Sequence, residues 1–379
     1  MSVSYCKQIL PRERDKKKLA RSMVENYGGQ HPYLRQYFAP GHLERTMAFK
    51  LTSLVKTNVG SADEVRPSGL PSQSPYSFRN ESSNNLSKLD SLVALANHHA
   101  DHYLYEKAEA LYLHALRGYE KVLAPNSLPI LDTKNNLGTL YAQQSRSSEA
   151  DLMYSSSLRG KLEIIGTEHP STLMTMHNFA GFYAHEGKVE EAEVLYHTAL
   201  SGKLKVFGPK HLSTLNTMND LGILYRYKGD FMQAEKFYSL ALKGEIETLG
   251  KGHIFTLETL NNLGSLYRAQ GRWKKGLKMH KQALRGRETT LGPSDMCTID
   301  TVSNLAAIYY AMAKTGKASK LYERAFRAYK DKLGTGHLKT QQAEFRWRVS
   351  THDAGRNAGS ILFRFFSWCS FVENTLYYA

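Results

Sequence analysis

Through most of the chain, apolar residues recur at intervals of three and four, and the whole pattern then repeats after 42 residues. Leu137, Phe179, Leu221, Leu263 and Leu305 mark the same place in five successive copies, each followed four residues later by Tyr141, Tyr183, Tyr225, Tyr267 or Tyr309. An earlier, degenerate copy puts Leu95, Ala96 and His99 in this frame. Spacings of three and four are the signature of a helix with one buried face. From Thr256 to Ala269, for example, Leu257, Leu260, Leu263, Gly264 and Tyr267 fall on one side. A break at Gly187, Gly229 or Gly271 follows, where glycine ends a helix in the left-handed conformation. A second helix then carries Ala192, Leu195, Tyr196, Ala199 and Leu200 on one face, or Ala234, Phe237, Tyr238, Ala241 and Leu242 in the next copy. It runs on to Gly166, Gly208, Gly250, Gly292 or Gly334, and a short loop follows whose Ser or Thr is expected to cap the next helix.

Small residues punctuate both helices. Gly138, Ala180, Gly222, Gly264 and Ala306 stand where the first helix should approach its partner, as do Ala199, Ala241, Ala283 and Ala325 on the second. Large side chains there would overpack the contact by about 1–3 kcal/mol. One helix pair cannot bury its apolar side alone, so the pairs must stack. The pattern predicts an all-α fold of stacked antiparallel helix pairs, about six repeats over residues 88–340.

This arrangement resembles the tetratricopeptide repeat, whose usual period is 34 residues. The longer period, with Asn-Leu-Gly at 136–138 and 262–264, Glu-Ala-Glu at 191–193 and His-Pro-Ser-Thr at 169–172, is similar to kinesin light chains. It is closer still to the arrays at the C-terminal end of fungal NACHT and NB-ARC receptors. The resemblance implies a right-handed superhelical solenoid of antiparallel helix pairs that serves as a protein-binding array. Residues 1–87 show no sustained heptad and the chain has no phosphate-binding loop, so it implies neither motor coupling nor nucleotide switching.

The ends differ from the array. Residues 1–87 form a basic, Ser/Asn/Gly-rich region with Pro67, Pro71 and Pro75, expected to be mostly disordered, with a short helix around Leu43–Val55 and a folded extension as the other reading. Residues 341–379 are expected to be a capping or docking segment. Their aromatic stretch, Ile361 to Val372, leaves an interfacial or spanning segment, or a truncated end, as alternatives, although Arg364, Glu373 and Asn374 interrupt it.

The charge of +15 permits anionic partners without choosing among them. Three scattered cysteines, Cys6, Cys297 and Cys369, offer no disulfide framework or zinc knuckle, and Met1 to Leu10 has no signal-peptide core, so a reducing cytoplasm is expected. No catalytic constellation, cofactor site or metal site is expected. His98 and His102 have a metal-capable spacing but lack a third ligand. His169, His211, His253 and His337 recur in the loops between repeats, which marks them as structural.

In tetratricopeptide arrays the first helices line a concave groove. Counting from the Leu137-type position, residues two before and five after should face outward. This selects Asn135, His177, Asn219, Asn261 and Ser303 as one row, and Ala142, Ala184, Arg226, Arg268 and Tyr310 as another, flanked by Gln143, His185 and Tyr227. Asn amides can pair with a peptide backbone, and arginines can clamp carboxylates. The expected ligand is a protein or extended peptide, an acidic one fitting Arg226 and Arg268; a small-molecule substrate and a membrane are not expected. For Asn136, Asn178, Asn262 and Asn304 a role in the fold is the favoured reading. An RNA-reading solenoid is disfavoured because the two rows change from repeat to repeat.

Overall fold

The computed structural model describes residues 78–354. They form thirteen helices and no strand: α1 Phe78–Asp101, α2 Tyr105–Val122, α3 Leu128–Gln143, α4 Ser147–Ile164, α5 Pro170–His185, α6 Val189–Val206, α7 Leu212–Tyr227, α8 Phe231–Thr248, α9 Ile254–Ala269, α10 Trp273–Thr290, α11 Met296–Ala311, α12 Thr315–Leu333 and α13 Leu338–Ala354. Odd- and even-numbered helices from α1 to α12 are the first and second members of six pairs. α1 starts before residue 88, so helix also covers Asn80–Asn85, which composition assigns to linker. The helix expected around Leu43–Val55 and the aromatic stretch from Ile361 lie outside the described residues.

The fold divides into two compact units. One runs to Ala184 and adds Glu190–Gly202; the other takes His185–Val189 and continues from Lys203. In the first unit, α1 packs on α2, α2 on α3 and α3 on α4; in the second, α7 through α13 pack in sequence order. Most contacts are between chain neighbours, with smaller ones from one first helix to the next (α1–α3, α7–α9 and α9–α11), which is what a stack of pairs requires.

The small-residue rows explain how closely the pairs approach. A Cβ added to Gly138 would stand 3.0 Å from the Tyr154 ring, and one added to Gly222 would stand 2.6 Å from the Tyr238 ring. A second glycine row, not singled out by the apolar pattern, lies in the second helices: Gly160, Gly202, Gly244 and Gly286 receive Leu131, Leu173, Leu215 and Leu257 of their own first helices. Both rows are gaps filled by a partner's side chain, so a methyl there must displace something already packed.

The loop caps differ from expectation. His169, His211, His253 and His337 take the cap role, each accepting through Nδ1 from the backbone N–H two residues on, at 3.1, 3.1, 3.3 and 3.1 Å. Asp295 does this for α11 at 2.8 Å. The Ser or Thr expected to cap does not do so: Ser171 gives its backbone N–H to His169, and Thr172 with its counterparts Thr214, Thr256, Thr298 and Thr340 is buried inside the helix. The recurring histidines are thus helix caps.

Beyond α12 the 42-residue frame continues into α13. Its Trp347 occupies the Leu305-type position and stacks on Phe326 of α12, with ring centroids 5.5 Å apart. At the close-approach position, where earlier repeats carry Gly or Ala, α13 has exposed Arg348 bonded to Glu344. On α1, Lys88 and Ser91 are exposed at positions that later repeats bury. These two helices, the first and last of those described, thus carry polar side chains where the repeats between them pack.

Candidate functional site

The first helices of the second unit, α7, α9 and α11, keep one stripe accessible. It runs through Asn216, Asp220, Ile223 and Arg226 on α7, and through Glu258, Asn262, Ser265 and Arg268 on α9. In the first unit the equivalent stripe on α3 is Asp132, Asn136, Thr139 and Ala142, with Gln143 exposed beyond it. The residues directly before the Leu137-type position are thus accessible throughout, whereas the row chosen from the sequence divides, with Asn135, Asn219 and Ser303 buried and His177 and Asn261 half-buried.

Asn135 is only 2% exposed and Asn219 8% exposed; Ser303 is buried as well. Their polar groups serve the neighbouring helix. Asn178 donates to Asn135 at 3.4 Å, Asn262 to Asn219 at 3.2 Å, Asn304 to Asn261 at 3.2 Å, and Arg346 to Ser303 at 3.5 Å. Each bond joins one first helix to the next through the same two positions. The expected fold role of the Asn136-type residues is realised through side-chain amides rather than neighbouring backbone. Asn261 is half-buried and also contacts Nδ1 of His280 at 3.1 Å. His177 is half-buried, its ring edge against Tyr196 with centroids 5.5 Å apart.

The second row divides. Tyr310 is buried and donates to Asp353. Arg226 and Arg268 are half-buried at the last turns of α7 and α9, and Tyr227 beside Arg226 is 41% exposed. Asp220 and Glu258 lie nearer the other end of the same stripe, so its charge runs from acidic to basic along the helix direction. Asp300, the α11 residue in register with Glu258, is occupied by Tyr329 and by Lys339 at 3.2 Å.

The second helices carry, in one column of the 42-residue frame, buried ionisable side chains that the apolar pattern conceals. Lys161, Lys203, Glu245 and Arg287 occupy one position of successive second helices and are all buried. Each meets a threonine of the next first helix: Lys161 donates to Thr175 at 2.7 Å, Lys203 to Thr217 at 2.8 Å and Arg287 to Thr301 at 2.7 Å, while Thr259 donates to Glu245 at 3.0 Å. Lys161 also pairs with Asp132 at 2.6 Å. A buried charge without a partner is costly, and these contacts offset that cost only in part, since Glu245 Oε2 and Arg287 Nε are buried with no hydrogen-bond partner among the described residues. The signal was present in the sequence as one polar position of period 42 inside an apolar helix.

Burial shifts the proton affinities in this column. It lowers Lys203 to about 8 against the raising influence of Asp220, and lowers Lys161 against the pull of Asp132. Asp220 keeps part of its surface accessible, but the protein packed around its carboxyl, reinforced by Glu258, raises it to about 7. Burial also raises Glu245 to about 7, with Glu258 adding and the Thr259 hydrogen bond opposing. Thr259 lies within hydrogen-bond distance of both Glu245 and Asn219, so the Glu245 proton is linked to the amide bridge beneath the open face. His280, at the position of Tyr154 and Tyr238, is lowered to about 3 by burial and by Arg268 and Arg287, so its imidazole is neutral near pH 7. At the other end of the chain, His98 and His102 lie with ring centroids 4.3 Å apart, and no third ligating side chain joins them among the described residues.

The tetratricopeptide repeat family matches residues 88–163, 165–244 and 255–331. No curated protein matches the chain. Among solved structures, the TPR-like repeats of a kinesin light chain assignment from Podosopora anserina are 22% identical, covering 53% of this chain and 95% of that one, with a TM-score of 0.48. A signal transduction ATPase with a tetratricopeptide repeat sensor, PH0952 of Pyrococcus horikoshii, is 12% identical; it covers 98% of this chain, which spans 55% of that one, with a TM-score of 0.57. The quorum sensor NprR of B. thuringiensis, in its apo form, is 15% identical, covering 92% of this chain and 84% of that one, with a TM-score of 0.55.

Proposed function

Because the chain belongs to the tetratricopeptide repeat family, we propose that it is a non-enzymatic scaffold that binds an extended protein segment along the open face of α7, α9 and α11. The observation that carries this reading is the side-chain stripe itself. Arg226 and Arg268 recur at one end of successive helices, Tyr227 is exposed beside them, and half-buried Asn262 and Asn304 recur between. Amides at regular spacing suit a backbone that repeats its own donors and acceptors, and arginine forks suit carboxylates. The acidic part of the ligand lies at the arginine end, away from Asp220 and Glu258. Whether the segment is cargo or a sensed signal, the same face receives it.

A labelled Glu-rich peptide tests the reading with the full chain. Arg226→Glu combined with Arg268→Glu should weaken binding at least about tenfold, since a charge-assisted contact is worth about 1.5–3 kcal/mol, while the helical circular-dichroism signal stays unchanged. Undiminished affinity in the double variant would remove the arginines from the site.

A further inference from the structure

The repeats share a charge arrangement that stops at α10. Tyr141 donates to Glu109 at 3.1 Å, and Arg146 donates to the same carboxylate at 2.7 Å. Tyr267 and Arg272 treat Glu235 in the same way, at 2.9 and 2.5 Å. The acids in this register are Glu109, Asp151, Glu193 and Glu235, but the next position is Leu277. Tyr309 is instead approached by two cations from different helices, Lys281 with its Nζ 6.0 Å and Lys317 with its Nζ 5.8 Å from the ring centroid.

The first turns of the second helices change one pair earlier: α8 has no acid in its first turn and is capped by Asp230 instead. α2 begins with Glu106, α4 with Glu149 and α6 with Glu190 and Glu191. Neither α10 nor α12 has an acid there; they carry Lys274 and Lys275, and Lys317. Lysine at a helix N-terminus opposes the helix dipole, so these residues work against the stability of the helices that bear them. Lys274, Lys275, Lys278 and Lys281, with Lys314 and Lys317, are all exposed, and no carboxylate pairs with any of them among the described residues.

We propose that the surface formed by α10 and the start of α12 binds the phosphate backbone of nucleic acid without reading its bases. The chemistry distinguishes this partner from an acidic protein. A protein interface needs a desolvated apolar centre, and none of the exposed large apolar side chains lies on α10 or α12. Protein–nucleic acid interfaces are polar and strongly positive instead. Lysines act as mobile point charges rather than planar forks, which suits phosphates met at any register.

The test is fluorescence anisotropy of the full chain with labelled oligonucleotides of two unrelated sequences, from about 50 to 200 mM salt. Neutralising about six phosphates gives a plot of log K against log salt with a slope near −5, equal for both sequences. Lys274→Glu, Lys275→Glu and Lys317→Glu together should flatten the slope by about 2–3 and weaken binding more than tenfold at 100 mM salt. The melting temperature of the triple variant should equal or exceed that of the parent. Absence of binding at the lowest salt, or a triple variant with the parent's affinity and slope, overturns the proposal. So does stronger competition by phosphatidylserine vesicles or polyglutamate than by unlabelled oligonucleotide at equal charge.

Discussion

Every turn between the two helices of a pair contains one residue with positive φ, and not all of these are glycine. Gly187, Gly229 and Gly271 adopt it freely, whereas Tyr103, Ser145 and Ala313 hold φ values of 60°, 58° and 57° at the same position. A left-handed residue with a Cβ costs roughly 1–2 kcal/mol. Ala313→Gly should therefore raise the stability of the second unit by about 0.5–1 kcal/mol, allowing for the greater freedom glycine gives the unfolded chain. Denaturant unfolding measures this, and a loss of stability would show that Ala313 is not strained. The caps give the opposite sign. Asp295→Ala removes the acceptor for the Cys297 N–H and should cost about 1 kcal/mol.

At the scale of the helix, Glu245 should shape the dependence of stability on pH. Its carboxyl is raised to about 7 in the folded chain, above the ordinary value of 4.5. Its contribution is thus complete below pH 4.5 and is lost as pH climbs through about 7, because ionising it in place costs more than ionising it in water. Glu245→Gln keeps the shape, and the amide can donate to Thr259. At pH 8 the variant should be more stable by about 1–3 kcal/mol, with little difference at pH 5. Thermal unfolding at the two pH values decides it, and a variant destabilised equally at both would contradict the assignment. His280 acts in the other direction: lowered to about 3, it costs stability as pH falls below about 6.5. Helix pairing was readable in the sequence because period, glycine breaks and small residues agreed. The face of each residue was less so. The one-residue difference between Asn135 and Asn136 is about 100° around a helix, and Asn is equally at home bridging helices or meeting a ligand. Polarity alone did not separate them; Arg226, Arg268 and Tyr227 did fall on accessible turns.

For the molecule as a whole, the charge of +15 is unevenly spread. Lys281 of α10 and Lys317 of α12 approach the same Tyr309 ring at 6.0 and 5.8 Å, and like charges gathered on one surface repel over a Debye length of about 10 Å at 0.1 M salt. Raising salt should stabilise the parent chain, and should do so less in the Lys274→Glu, Lys275→Glu, Lys317→Glu variant; melting temperatures compared across salt concentrations test this. An identical response in both would place the repulsion elsewhere. The amide bridges have a different consequence. Asn262 reaches Asn219, and Asn304 reaches Asn261, at the same 3.2 Å through the same atoms. The two seams are thus interchangeable at these positions, and excising or duplicating one 42-residue period would present the bridging amides with the same mating surface. A gene for such an array can grow or shrink by unequal recombination without inventing new joints, and copies that drift afterwards, as Leu277 and His280 have, can take on separate duties.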